Sequence, residues 1–223
     1  MKTSTKNRSG FLLPALFAII LASLVLSFPL QGCAVKVVRE DTAERNEEAT
    51  PDAQSQLALK VAEIRAKAEE LALRIHQLTN EQRRHHGLKS LEWDGELAAI
   101  AYQHSSDMAR RNYFDHTSPE GKSFADRYRE HGYQKNTRVG DVVYGGAENL
   151  FLNNVARSYT YDKDTGEVYS YEFSSLEEIA RSTVEGWMQS PGHRENILTP
   201  FTREGIGVYV TDDGKIYITQ NFS

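Results

Sequence analysis

Few side chains in this sequence stand where they could do chemistry. Cys33 is the only cysteine among 223 residues, so neither an intramolecular disulfide nor a cysteine-only metal site can form. Ser118 and Ser190 are candidate nucleophiles. Each stands directly before a proline, in stretches that read as a turn and a helix end. No Gly-x-Ser-x-Gly elbow occurs, the strand-to-helix turn that lifts a serine into a hydrolase site. His85 and His86 end a charged helix and read as solvated surface. His104 falls on the apolar face of a helix, where a histidine is more often buried and hydrogen-bonded than a ligand.

Cys33 has a telling position. Lys2, Lys6 and Arg8 precede an uncharged run from Phe11 to Leu30, followed by Gln31-Gly32-Cys33. A basic start, an apolar middle and a small residue at the end have the layout of a secretory signal. The ending resembles a bacterial lipobox, whose cysteine receives a diacylglyceryl group. The competing reading is an uncleaved membrane anchor, since about 20 apolar residues span a bilayer. On the lipobox reading residues 1–32 are removed. The loss of three basic residues then takes the formal charge from −5 to −8. Such an acidic chain is a poor binder of nucleic acid. Ala34 is not the aspartate that retains many enteric lipoproteins, so in a Gram-negative source the outer membrane is the expected address, and otherwise the cell surface.

Several elements must position any site. Residues 33–56 are polar and acidic without periodicity and read as a flexible tether. Leu57, Val61, Ile64, Ala68, Leu71, Ile75 and Leu78 form one helical seam, read as a long first helix packed on the domain rather than a coiled-coil stalk. Asp94 caps the next helix, with Leu97, Ile100, Ala101, His104, Ser105 and Met108 on one face. Ser123 with Asp126, and Ser175 with Glu178, are capping pairs for two more. Two hairpins follow from alternating aromatics around Asp164-Thr165-Gly166 and from the runs flanking Asp212-Asp213-Gly214. Gly205 and Gly207 alternate on one of these strands, a pattern that allows close backbone packing. Helices first and strands last predict an α+β domain over residues 57–223.

Blocks in order carry a family resemblance: Leu91-Glu92-Trp93-Asp94, Tyr113-Phe114-Asp115-His116-Thr117-Ser118-Pro119, Ala147-Glu148-Asn149-Leu150, Gly186-Trp187-Met188-Gln189-Ser190-Pro191-Gly192-His193, and Thr219-Gln220-Asn221-Phe222. Together they resemble the CAP superfamily of cysteine-rich secretory, antigen 5 and pathogenesis-related proteins, in its bacterial SCP-like extracellular branch. The resemblance implies an α-β-α sandwich with a central antiparallel sheet. It also implies a cleft lined in many members by two histidines and two glutamates. Here His116, Glu148 and His193 match three of these, and Ser190 stands where the fourth, a glutamate, is usual. Eukaryotic relatives staple the fold with disulfides, which this chain must do without.

What those residues would do has three readings. Two imidazoles and a carboxylate suit a divalent cation such as zinc, with water completing the shell. The same groups could be a hydrogen-bonded network tying three loops together, with no cofactor required. Or His193 could act as general base, oriented by Glu148, for Ser118 or Ser190, although Ser190 in place of a glutamate removes a separate base for metal-assisted hydrolysis. The expected function is therefore a lipid-anchored binding module for an envelope lipid, glycan or protein. The alternatives are a hydrolase of peptides or cell wall and a structural envelope protein. A monomer attached to the membrane through Cys33 is expected. An insert at about 153–174 carries Tyr159, Tyr161, Tyr169, Tyr171 and Phe173; it reads as a hairpin covering itself or as a stacking platform bordering the cleft.

Overall fold

The computed structural model describes residues 36–38 and 53–223. The apolar run and Cys33 lie outside the described residues, as does most of the expected tether. The elements in chain order are β1 (Lys36–Val38), α1 (Ala53–Ala66), α2 (Ala68–His85), β2 (Glu92–Trp93), α3 (Gly95–Arg111), α4 (Phe124–Glu130), β3 (Thr137–Val139), β4 (Val142–Tyr144), β5 (Ala147–Asn154), β6 (Ala156–Tyr161), β7 (Val168–Phe173), α5 (Leu176–Gln189), α6 (Pro191–Leu198), β8 (Arg203–Val210) and β9 (Lys215–Phe222).

A four-stranded sheet, in the order β2-β8-β9-β5, forms the middle layer. Its three long strands pair antiparallel, with Glu148 opposite Asn221 and Gly205 opposite Asn221 on the other side. The short strand β2 pairs with β8 in parallel. One face carries α3 and the other α2 and α5, which is the expected sandwich. Strand periodicity sorts the side chains. Ile206, Val208, Val210, Ile216, Ile218 and Phe222 join the main core with Leu71, Ile75, Val184 and Trp187. On the opposite face Gly205 and Gly207 let α3 approach so closely that an added Cβ would meet Ala98 N at 2.1 Å and Tyr102 N at 2.0 Å.

The caps appear as read. Asp94 accepts from the Glu96 and Leu97 amides, and Ser123–Asp126 and Ser175–Glu178 form reciprocal boxes. The apolar seam is buried, but as two helices rather than one: the chain turns at Lys67, with φ −105° and ψ 17°, so that α1 reaches β7 while α2 packs on α5 and β8. Lys36–Val38, within the expected tether, pairs in parallel with β6, and a three-stranded sheet β1-β6-β7 results. The Glu-Asn-Leu box, read as part of a loop, is instead the start of β5. The reason is that Ala147 to Asn154 is buried on both faces, which hides the alternation that marks a half-exposed strand.

Candidate functional site

Glu148 is the centre of the site. It sits near the start of β5 on the α3 face, with its side chain only 1% exposed. Burial at this depth requires partners, and both oxygens have them. His116 Nδ1 lies 2.9 Å from Oε1, and the Arg127 guanidinium donates to Oε2 at 2.6 Å. His104 Nε2 lies 3.9 Å from Oε1 and donates to the Asp115 carbonyl at 3.0 Å. A carboxylate only accepts, so His116 carries its proton on Nδ1. In the neutral ring Nε2 is then left with a lone pair, on a side chain 51% exposed.

Arg127 joins three segments here. It enters from α4, whose capping box fixes the direction of the helix, and it also donates to the carbonyls of Lys122 and His116, each at 3.1 Å. Sequence reading missed it: in a short charged helix nothing marks one arginine among Arg127 and Arg129 as buried. It also missed Asn196 of α6, which donates to the Glu148 carbonyl at 3.2 Å and to Asn149 Oδ1 at 2.8 Å. Asn149, on the other face of β5, donates to the His193 carbonyl at 3.2 Å and to Gln220 Oε1 at 3.0 Å.

Above these groups opens a cleft of about 460 Å³ lined by His116, Thr117, Ser123, Phe124, Glu148 and Asn196, with the backbone of Gly146 and Ala147 beside them. A larger groove of about 890 Å³ runs along α1, α2 and the start of α5. Its Arg74 and Glu177 are ion-paired and no imidazole lines it, so the chemistry belongs to the smaller one.

The expected site residues separate. His116 and Glu148 are bonded. His193 lies on α6 with its ring bonded to neither; burial, and then the charge of His116, hold its pKa below the usual histidine value. Burial likewise lowers that of His104, with Glu148 pulling the other way. Ser190 joins α5 to α6, and its side chain does not cap the second helix. Ser118 Oγ donates to Glu120 at 2.9 Å. Among the described residues no serine hydroxyl is hydrogen-bonded to a histidine ring, so no nucleophile–base pair is assembled.

Of the expected metal ligands, Glu148 has both oxygens already engaged in this arrangement. The oxygen of Glu148 not taken by His116 is held by a guanidinium, which cannot shed its proton. A dication at Glu148 would sit beside a fixed positive charge. Among the described residues no three His, Cys, Asp or Glu side chains are grouped to hold a metal. The hydrogen bonds around Glu148 tie a loop, α4 and α6 to a strand rather than joining three loops. The aromatic insert does not border the cleft: it follows the far end of β5, and none of its residues lines the opening. Tyr171 and Phe173 pack on the core.

With this geometry the family assignment can be made on a match to the cysteine-rich secretory protein family, CAP, over residues 76–222. The chain belongs to the CAP family. Two curated relatives come from Bacillus subtilis strain 168. The uncharacterized membrane protein YlbC is 35% identical over 149 residues, 66% of this chain and 33% of YlbC. The uncharacterized protein YkwD is 32% identical over 150 residues, 67% of this chain and 45% of YkwD. The aligned part is thus a third to under a half of these relatives' own length. Among solved structures, an outer surface protein from Borrelia burgdorferi shares the fold, with a TM-score of 0.51 and 17% identity over 70% of this chain and 92% of that one. An SCP-domain extracellular protein from Bacillus anthracis is 30% identical with a TM-score of 0.48, over 70% of this chain and 40% of that one. The CAP match begins at His76, so α1 and β1 precede it.

Proposed function

We propose that this CAP-domain protein is anchored in the bacterial cell envelope by a diacylglyceryl group on Cys33 and binds an envelope glycan through the His116 cleft. The observation that carries the reading is the pinned imidazole. Glu148, held by Arg127, fixes the His116 tautomer and turns its unprotonated nitrogen outward. Thr117 adds a hydroxyl, Asn196 its amide oxygen, and Phe124 a ring. Hydrogen-bonding groups beside a single ring suit a polyhydroxylated sugar, which offers hydroxyls and C–H faces together. The location rests on the sequence, Lys2 to Cys33, and agrees with the description of YlbC as a membrane protein. Among the described residues no helix is long and apolar enough to cross a membrane.

The test is cosedimentation of the full chain, held in detergent, with purified peptidoglycan. Saturable retention is expected, weakened at least five-fold by His116→Ala and by Asn196→Ala. Retention that both substitutions leave unchanged, or none above a denatured control, overturns the reading. Mass spectrometry of the N-terminal peptide tests the lipid on Cys33 separately.

A further inference from the structure

We infer that the β6–β7 hairpin is the surface of this domain that rests on the anchoring phospholipid bilayer, so that the cleft opens on the side away from it. The inference builds on the lipid-anchored reading above. Its starting point is the pairing of β1 with β6, which sets Lys36 opposite Ser158, Val37 opposite Tyr159 and Val38 opposite Thr160. Cys33 precedes Lys36 by three residues, and three residues of chain reach at most about 11 Å. Neighbouring strands lie about 4.8 Å apart. A lipid on Cys33 therefore leaves the chain within roughly 16 Å of Ser158, however the intervening residues run.

The surface within that reach suits a bilayer interface. Ring centroids of Tyr159 and Tyr161 are 5.8 Å apart, and those of Tyr159 and Tyr171 6.2 Å apart. Tyr171 stacks on Phe173 toward the core, while Tyr169 is exposed. A tyrosine has an apolar body and a polar tip, the combination enriched at the headgroup level of membranes. Charge is not what holds the surface there, because Arg157 and Lys163 are outnumbered by Asp162, Asp164, Glu167 and Glu172. The lipid supplies the attachment and the rings set the orientation.

The cleft lies at the other end of the same strand. β5 runs from Ala147 to Asn154, and the hairpin follows it. Six residues of strand separate Glu148 from Asn154, about 20 Å at the usual rise. The cleft is thereby carried off the bilayer, where it meets a glycan rather than lipids of the membrane that holds the protein.

The experiment uses the lipidated full chain in phosphatidylcholine vesicles. Cys33 is blocked by its lipid, so a fluorophore can be placed on Lys163→Cys in the turn of the hairpin or on Val143→Cys in β4, which leads into Gly146 of the cleft. Both positions are exposed, and neither carries one of the rings that set the orientation. Doxyl-labelled phosphatidylcholine is expected to quench the Lys163 position at least three-fold more than the Val143 position. Equal quenching, or stronger quenching at Val143, on a chain whose Cys33 carries lipid overturns the orientation alone. An unmodified Cys33 overturns the anchor and the orientation together.

Discussion

Two buried glutamates, on opposite faces of one sheet, meet a histidine in different ways. Glu148 on β5 pairs with a half-exposed His116 and with Arg127. Glu204 on β8 is wholly buried on the α2 face, 2.6 Å from His76 Nδ1 and accepting from Gln220 at 2.6 Å. Trp93 covers the ring of His76 edge-on. The difference is the arginine. A guanidinium keeps its charge at any ordinary pH, so Glu148 has a permanent counter-charge and can hold one imidazole in a fixed tautomer facing solvent. Glu204 has no guanidinium bonded to it. Burial pushes its pKa above the usual carboxylate range, against the pull of His76 and Gln220. The first pair presents a group to the outside; the second closes a core.

Substitutions can break this contrast. The largest effect is expected from Glu148→Ala, which strands the buried Arg127 charge and should cost about 3–5 kcal/mol in chemical denaturation. Adding Arg127→Met should recover most of the loss, because an absent pair is far cheaper than a broken one. If the double variant is no more stable than the single, the arginine is not what Glu148 serves. Glu204→Gln should cost less, about 1–3 kcal/mol, because a neutral amide leaves no buried charge unpaired. Its signature lies in the pH dependence. A carboxyl whose pKa is raised by folding contributes most below the ordinary carboxylate value and loses that contribution as the pH rises through the raised one. Stability should therefore decline less from pH 5 to pH 7 in Glu204→Gln than in the unaltered chain.

Histidines sharpen the contrast from the acid side. Burial lowers the pKa of His104, so its contribution is complete above about pH 6.5 and is lost as the pH falls through the lowered value. His104→Gln, whose amide can still donate to the Asp115 carbonyl, should flatten the acid limb of the stability curve. His193→Gln should flatten it less, since that ring is buried less completely than His104. The smallest effect on stability belongs to His116→Ala, within about 1 kcal/mol for so open a side chain, while peptidoglycan retention drops.

The contrast also shows what a sequence can tell. His116 and Glu148 were legible because ordered blocks match a family whose cleft they line, and the caps at Asp94, Ser123 and Ser175 because local hydrogen bonds leave a local pattern. Gly205 and Gly207 read correctly as close approaches on a strand. Arg127 and the Glu204–His76 pair left no such mark: their partners lie 21 and 128 residues away, and only the folded sheet brings them together. The Glu-Asn-Leu strand was hidden for a related reason, since burial on both faces erases period two. The break at Lys67 was equally invisible, because the seam runs through it in register.

The account turns on His116 presenting its outer nitrogen to a sugar. The most direct measurement is a nitrogen-15 NMR titration of the full chain in detergent micelles with a soluble N-acetylglucosamine–N-acetylmuramic acid disaccharide. The account predicts that free His116 carries its proton on Nδ1, and that the disaccharide shifts the Nε2 resonance saturably while His76, held by Glu204, stays in place. A free His116 protonated on Nε2 instead, or a saturating disaccharide that leaves its ring resonances unmoved, would contradict it.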